Sequence, residues 1–153
     1  MRWGRVAKFA VALSSVAGVI LTAGVHGAGA DAPHFPGGGV LALGDAKLHG
    51  DFSGMSVNSP LEALAPTADG NGYWVAAADG GVFAFGDAPF LGSMGNRGLY
   101  APIVGMASPD TGGYWLVALD GGIFAFGDAP FLGSMGGTRL AQPIVGMAAT
   151  PDG

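Results

Sequence analysis

A 17-residue string occurs twice in the chain, 41 residues apart, and this repetition constrains the fold more than any other feature. Residues 79–95 and 120–136 are identical at sixteen of their seventeen positions, and the single difference is Val82 against Ile123. A long self-match at a fixed period indicates a repeat architecture, in which one supersecondary unit is placed against the next. A residue that recurs in every unit is a poor candidate for a unique catalytic residue, so the repeat informs about fold more than about chemistry.

The first thirty residues have the pattern of an export signal. Three basic residues among the first eight precede an apolar run that continues to Val25, and a small-residue cleavage pattern follows at residues 28–30. The alternative is a retained membrane anchor, although the run is at the lower length limit for crossing a bilayer. We therefore expect residues 1–30 to be a cleaved signal peptide, with no stable membrane insertion afterwards. The protein is expected to be secreted, extracellular or cell-wall associated.

Removal of this segment would leave a strongly acidic chain. Lys47, Arg97 and Arg139 would remain against eleven carboxylates, a formal net charge of −8 with histidine neutral. Such a chain repels phosphate backbones, so no nucleic-acid partner is expected. The sequence contains no cysteine, so stability must come from a packed core rather than from disulfides.

Each full unit contains four short apolar runs, which predict four strands. In the last full unit the runs are residues 103–107, 114–118, 123–126 and 131–134. They are rich in aromatic and β-branched residues and are bounded by glycine and proline, a composition that favours strands over helices. From the 41-residue period we divide the chain into six segments. Residues 1–30 are the signal peptide and residues 31–39 the linker. The repeat region consists of a half unit (40–59), two full units (60–101 and 102–142) and the first strand of a further unit (143–153).

An Asp-Gly pair lies between the second and third runs of each full unit. The pairs are Asp79-Gly80 and Asp120-Gly121. Between two apolar runs, Asp-Gly predicts a β-hairpin whose type I′ turn has positive φ at both central residues. These four residues are therefore interpreted as turn residues.

The runs do not alternate between apolar and polar residues, so both faces of each predicted sheet must be covered. Tyr114 and Leu116 would point to one face, and Trp115 and Val117 to the other. Four-stranded antiparallel units of about 41 residues, apolar on both faces, are typical of propeller blades packed between neighbours. We predict an all-β, β-propeller-like fold that is incomplete in this chain, with an open stacked β array as the alternative.

Residues 114–131, followed by 143–148, resemble a tandem repeat common in secreted actinobacterial proteins. The resemblance covers nearly all of residues 40–153. It implies a propeller-like, non-catalytic module that often accompanies a cell-wall hydrolase, peptidase or esterase domain. The repeat of that family contains no catalytic residue that the resemblance could assign to this chain. Leu41 and Leu43 depart from the pattern, since the later units have phenylalanine at these positions.

Two functions are consistent with these features. The first is a secreted or cell-surface non-catalytic module for binding or scaffolding, with a cell-wall glycan or a protein as partner. The second is the N-terminal repeat region of an exported hydrolase, peptidase or esterase. Because residues 150–153 form the turn before a further Tyr-Trp strand, we expect a fragment of a longer protein. Apolar end faces would then favour self-association or further repeats.

Six residues are candidates for ligand contact. The aromatic pairs could form a sugar-stacking platform or fill the space between units, and the two arginines lie in the connection that differs most between units, where binding specificity often resides. These candidates are Tyr73, Trp74, Tyr114, Trp115, Arg97 and Arg139.

No cofactor, metal or catalytic set is predicted. Asp45, Asp87 and Asp128 recur after a glycine and could be calcium ligands, but single, widely spaced carboxylates fit Asx turns better. His34 and His49 are too few for a zinc site. Neither a Ser-His-Asp set nor a phosphate-binding loop can be recognised.

Overall fold

The computed structural model describes residues 9–13, 18–23, 39–44, 46–52 and 55–150. These residues contain nine strands in three antiparallel sheets, and in each sheet the strand order follows the chain. No helix occurs in these ranges, which confirms the all-β prediction. Consequently, no helix that could cross a membrane is found among them.

Each sheet has three strands with the second in the middle. The first sheet consists of β1 (Phe9–Leu13), β2 (Gly18–Ala23) and β3 (Gly39–Gly44). The second consists of β4 (Leu61–Pro66), β5 (Gly72–Ala77) and β6 (Val82–Gly86), and the third of β7 (Ile103–Ala107), β8 (Tyr114–Ala118) and β9 (Ile123–Phe126).

The first sheet repeats the register of the second. Gly18 pairs with Gly44 across β2 and β3, as Gly72 pairs with Gly86 across β5 and β6. β1 and β2 lie within the predicted signal segment, whose other residues, like most of the linker 31–39, lie outside the described ranges. The half unit therefore contributes the third strand of a sheet whose first two strands come from the N-terminal segment.

The fourth predicted run is not a strand in either full unit, so the second and third sheets have three strands each where the sequence predicted four. The run is held beside the hairpin by one backbone bond per unit, from Met94 N–H to the Gly80 carbonyl at 2.8 Å and from Met135 N–H to the Gly121 carbonyl at 2.9 Å. A physical reason is the glycine in its middle, whose φ is +125° at Gly92 and lies far from the extended region.

The first strand of a further unit, predicted within 143–153, is also not formed in the described residues 143–150. Its start is nevertheless placed as in the preceding unit. Ile144 N–H donates to the Leu119 carbonyl at 3.0 Å, just as Ile103 N–H donates to the Ala78 carbonyl at 2.9 Å. The segment thus lies where a first strand would begin, but it has no second strand to pair with in the described part of the chain.

The hairpins do not have the predicted type I′ turn. Gly80 and Gly121 have φ of +82° and +85°, but Asp79 and Asp120 do not have positive φ. Gly80 N–H donates to the Ala77 carbonyl at 2.9 Å, which closes a turn one residue earlier than predicted. The geometry is that of a type I turn followed by a glycine in the left-handed region, the three-residue hairpin loop.

The second and third sheets pack face to face. On the central strands every residue is buried, as the apolar character of both faces predicted. Trp74 of β5 lies in one core cluster with Tyr114 and Leu116 of β8, and the rings of Trp74 and Tyr114 are 5.2 Å apart between centroids. The opposite face of the second sheet packs on Phe52 of the half unit.

Candidate functional site

A tyrosine in each full unit bonds to the backbone of the preceding unit. Tyr114 Oη donates to the Gly92 carbonyl at 2.5 Å, and Tyr73 Oη donates in the same way to the Gly50 carbonyl. Burial raises the pKa of the Tyr114 phenol to about 12, and burial likewise raises the pKa of Tyr73. Both phenols are therefore neutral donors at physiological pH.

A tryptophan in each full unit fixes the fourth run of its own unit. Trp74 Nε1 donates to the Pro89 carbonyl, and Trp115 Nε1 donates to the Pro130 carbonyl, each at 2.7 Å. Both indoles are almost fully buried. All four aromatic candidates for ligand contact, the two tyrosines and the two tryptophans, therefore lie inside the core. Their polar atoms already have hydrogen-bond partners.

The repeated aspartates and serines next to the hairpins are also engaged. Asp79 Oδ1 accepts from Gly81 N–H at 2.9 Å, and Asp120 Oδ1 accepts from Gly122 N–H at 3.0 Å. Ser134 Oγ accepts from the Ile123 and Gly136 backbone N–H groups at 3.0 and 3.1 Å. The bonds between residues two apart are Asx-type and ST-type turns, and the bond from Ile123 ties the loop at Ser134 to the hairpin.

One polar cluster belongs to a single unit. Asp69 accepts from the Asn71 backbone N–H at 3.1 Å, from the Asn71 side chain at 2.7 Å and from the Thr67 hydroxyl at 2.8 Å. These hydrogen bonds, that from the backbone first, hold the pKa of the Asp69 carboxyl well below its ordinary value. The cluster closes the turn between β4 and β5, and its charge faces solvent, so we assign it to turn stability.

The recurring aspartates do not converge on a metal. Asp87 and Asp128 are exposed in the turns that end β6 and β9, whereas Asp45 lies outside the described residues. Within the described ranges, no group of three or more histidine or carboxylate side chains could hold a metal ion. His34 also falls outside those ranges, and His49 lies against the ring of Tyr73 at 6.2 Å between centroids.

The two candidate arginines are exposed, but they are not equivalent. Each lies in or directly after a turn whose third residue has positive φ, Asn96 at +62° in one unit and Gly137 at +81° in the other. Arg97 comes one residue after this position and Arg139 two residues after it. The loops thus share a backbone and differ in the side chains that they present to solvent.

A cleft of about 610 Å³ lies between the variable loop of the first full unit and the β8–β9 hairpin of the next. Its wall is mainly apolar, with Leu99 and Phe124, and its lining also includes Asp120 and Ser134. Tyr100 lines the same cleft and is fully exposed. An open aromatic ring and polar side chains thus share one concave surface.

Tyr100 is not among the residues predicted from the sequence to contact a ligand, although the sequence contains a signal for it. At the equivalent position the next unit has Ala141 in a loop of the same length. A large aromatic that is not repeated, in the connection that differs most between units, is more informative about ligand contact than the repeated aromatics of the strands.

Comparison with family models, with curated proteins and with solved structures finds no match for this chain.

Proposed function

We propose that this chain is a secreted or cell-surface, non-catalytic β-repeat module that binds cell-wall glycan, built from propeller-like units packed face to face. One observation carries the non-catalytic part. The repeated tyrosines and tryptophans, Asp79, Asp120 and the Ser134 hydroxyl are engaged in bonds that order the fold. The groups left for a ligand are the side chains of the variable loops and the second carboxylate oxygen of Asp120.

The cleft beside Tyr100 supports glycan as the ligand class. An exposed aromatic ring stacks on the apolar face of a sugar, and a carboxylate oxygen that takes no part in a turn can accept from a sugar hydroxyl. Asp120 lines the same cleft and uses only Oδ1 in its turn, whereas the Ser134 hydroxyl is occupied by three backbone groups. Residues 31–153 have a strongly negative charge, which favours a neutral polymer over an anionic one.

Binding of the exported chain to purified cell-wall sacculi in a sedimentation assay tests this function. Tyr100→Ala reproduces the loop of the next unit, where Ala141 is found, and is expected to lower the bound fraction at least threefold. Leu48→Ala is the matched control, because Leu48 is half-exposed and is not part of the cleft. Failure of the unmodified chain to sediment with the sacculi contradicts the proposal, and release of soluble sugar or peptide would instead indicate catalysis.

Export is part of the same proposal. Cleavage after residue 30 would remove β1 and β2 and leave the edge of β3 that pairs with β2 unpaired. Mass spectrometry of the exported chain is expected to find Asp31 as its first residue. A chain that retains residues 1–30 would support the alternative of an uncleaved anchor.

A further inference from the structure

We propose that the ligand of the cleft beside Tyr100 carries a primary ammonium group, which is held between the Tyr100 ring and the Asp120 carboxylate. The inference rests on the proposed function, since it takes the cleft as the glycan site, and it adds the chemical group that is recognised. A cell-wall polymer can present this group in two ways, as an amino sugar without its acetyl group or as the free amine of a diamino acid in a peptide stem. Both sources offer the same cation to the cleft.

The cleft lies over the junction between the two full units. Four of its lining residues also pack on the core cluster between these units: Met94, Leu99, Ala101 and Phe124. The walls of the cleft therefore come from the contact of one full unit with the next. Its volume of about 610 Å³ is in the range of small-molecule sites.

The charge of the cleft is negative. Among the described residues that line it, Asp120 and Tyr100 are the ionisable ones, and neither Arg97 nor Arg139 belongs to the lining. Oδ1 of Asp120 accepts from the Gly122 N–H at 3.0 Å, which leaves Oδ2 for a ligand. A carboxylate oxygen whose cleft supplies no cation is complementary to a positive group on the ligand, and a hydrogen bond between two charged groups is stronger than one to a neutral hydroxyl.

The surroundings of Asp120 differ from those of its equivalent in the preceding unit. Asp79 has the same position in the repeated string and accepts from the Gly81 N–H at 2.9 Å in the same way. Asp79 is exposed, whereas Asp120 is partly buried. Because opposite charges attract more strongly where water is partly excluded, an ammonium group gains more at Asp120 than at Asp79.

The ring of Tyr100 supplies the second contact with the cation. It is fully exposed and lines the same cleft as Asp120. The face of an aromatic ring attracts a cation within about 6 Å of its centroid. A neutral acetamido group gains neither this attraction nor that of the carboxylate, although its sugar ring can still stack on Tyr100. The corresponding position of the half unit is Asn58, which has no ring to offer beside Asp79.

Binding of three soluble ligands to the exported chain tests the inference, measured by isothermal titration calorimetry at mildly acidic pH, where amines are protonated. The ligands are a glucosamine oligomer, an N-acetylglucosamine oligomer of the same length, and a stem peptide with a free diamino-acid amine. We expect at least one amine-bearing ligand to bind about tenfold more tightly than the N-acetylglucosamine oligomer, and the one that does so identifies the source of the amine.

The outcomes separate this inference from the proposed function. Equal affinity for all three ligands overturns the inference and leaves glycan binding intact. The same holds if a chain that sediments with sacculi binds none of the three. Failure of the chain to sediment with sacculi contradicts the proposed function itself.

Two substitutions distinguish a site from the general attraction of an acidic chain for cations. Asp120→Asn removes the charge and keeps Oδ1 as the acceptor for the Gly122 N–H, so the thermal midpoint should stay nearly unchanged while the affinity for the tighter amine-bearing ligand falls about tenfold. Asp79→Asn is the matched control, because it removes the same charge from the same turn outside the cleft, and it should leave that affinity nearly unchanged. Equal losses of affinity in the two variants overturn the inference.

Discussion

The bond between Tyr114 and Gly92 makes a measurable prediction about how the units hold together. Tyr114→Phe removes the hydroxyl that donates at 2.5 Å and leaves the ring, which packs at 5.4 Å from Phe126 between centroids. A net hydrogen bond contributes about 1 kcal/mol, and an acceptor left without a partner in the interior adds to that loss. We therefore expect the free energy of unfolding to fall by about 1–2 kcal/mol.

The assay is urea unfolding of the exported chain followed by tryptophan fluorescence, since Trp74 and Trp115 are buried in the two sheets. For a domain of this size, 1 kcal/mol corresponds to roughly 4 °C in the thermal midpoint. Tyr100→Phe is the matched control, because the Tyr100 side chain is fully exposed. An unchanged urea midpoint in Tyr114→Phe, or an equal loss in Tyr100→Phe, would refute the reasoning.

The same bond has a signature at alkaline pH. The folded chain holds the pKa of Tyr114 at about 12, above its ordinary value of 10.0. The folded state thus retains the phenol proton more strongly than the unfolded state. The contribution of Tyr114 to stability is complete below pH 10 and is lost as the pH rises toward 12. In Tyr114→Phe the loss of stability between pH 10 and pH 12 should be smaller than in the unmodified chain. An equally steep loss in the two chains would contradict this assignment to Tyr114.

Three further predictions concern loops and use the same unfolding assay. Gly121→Ala should lower the free energy of unfolding by about 2 kcal/mol, because φ is +85° and the added Cβ would lie 2.8 Å from Met135 Cβ. Gly98→Ala is the control and should leave that free energy nearly unchanged, because the added Cβ would meet no atom within 4 Å. Asn96→Ala should lower the free energy of unfolding by about 1 kcal/mol, because φ at this position is +62°. Asn96→Gly should not lower it, because glycine adopts positive φ without strain; equal losses in the two variants would contradict this reason. The folded state lowers the pKa of Asp69, so the unmodified chain should lose stability as the pH falls below 3.8. Asp69→Asn should lose less stability over the same pH range. An equal loss in both chains would contradict this.

The first three strands of each full unit and the burial of their central strands could be predicted from the sequence. The run Ile123–Phe126 is a strand with the predicted bounds, and the predicted run 114–118 is β8. These features follow from local composition and from the 41-residue self-match, which are visible without coordinates.

The number of strands per unit and the type of hairpin turn could not be predicted in this way. The run 131–134 is as apolar as a strand, but Gly133 at +118° turns it away from a ladder. Asp120 precedes a glycine in the manner of a type I′ turn, yet the turn begins one residue earlier. Both outcomes depend on backbone angles. Glycine permits several such angles, so a glycine in the sequence does not determine which of them is adopted.

The candidate site was predicted only in its location, the variable connection between units. The aromatics chosen for stacking are buried, since repeated residues serve the packing that every unit shares. Tyr100, which lines the cleft, is one of several departures between two loops of equal length, and Ala141 replaces it in the next unit. Its meaning depends on the neighbouring hairpin, which sequence spacing does not reveal.

The bond from each tyrosine to the preceding unit also bears on how such genes change. The donor and its acceptor are 22 residues apart at Tyr114 and 23 apart at Tyr73, and every full unit supplies one of each. Unequal crossing-over between the nearly identical strings 79–95 and 120–136 would add or delete 41 residues at a time. After either event each tyrosine still follows a glycine at the same spacing, so the array can change length without creating a mismatched junction.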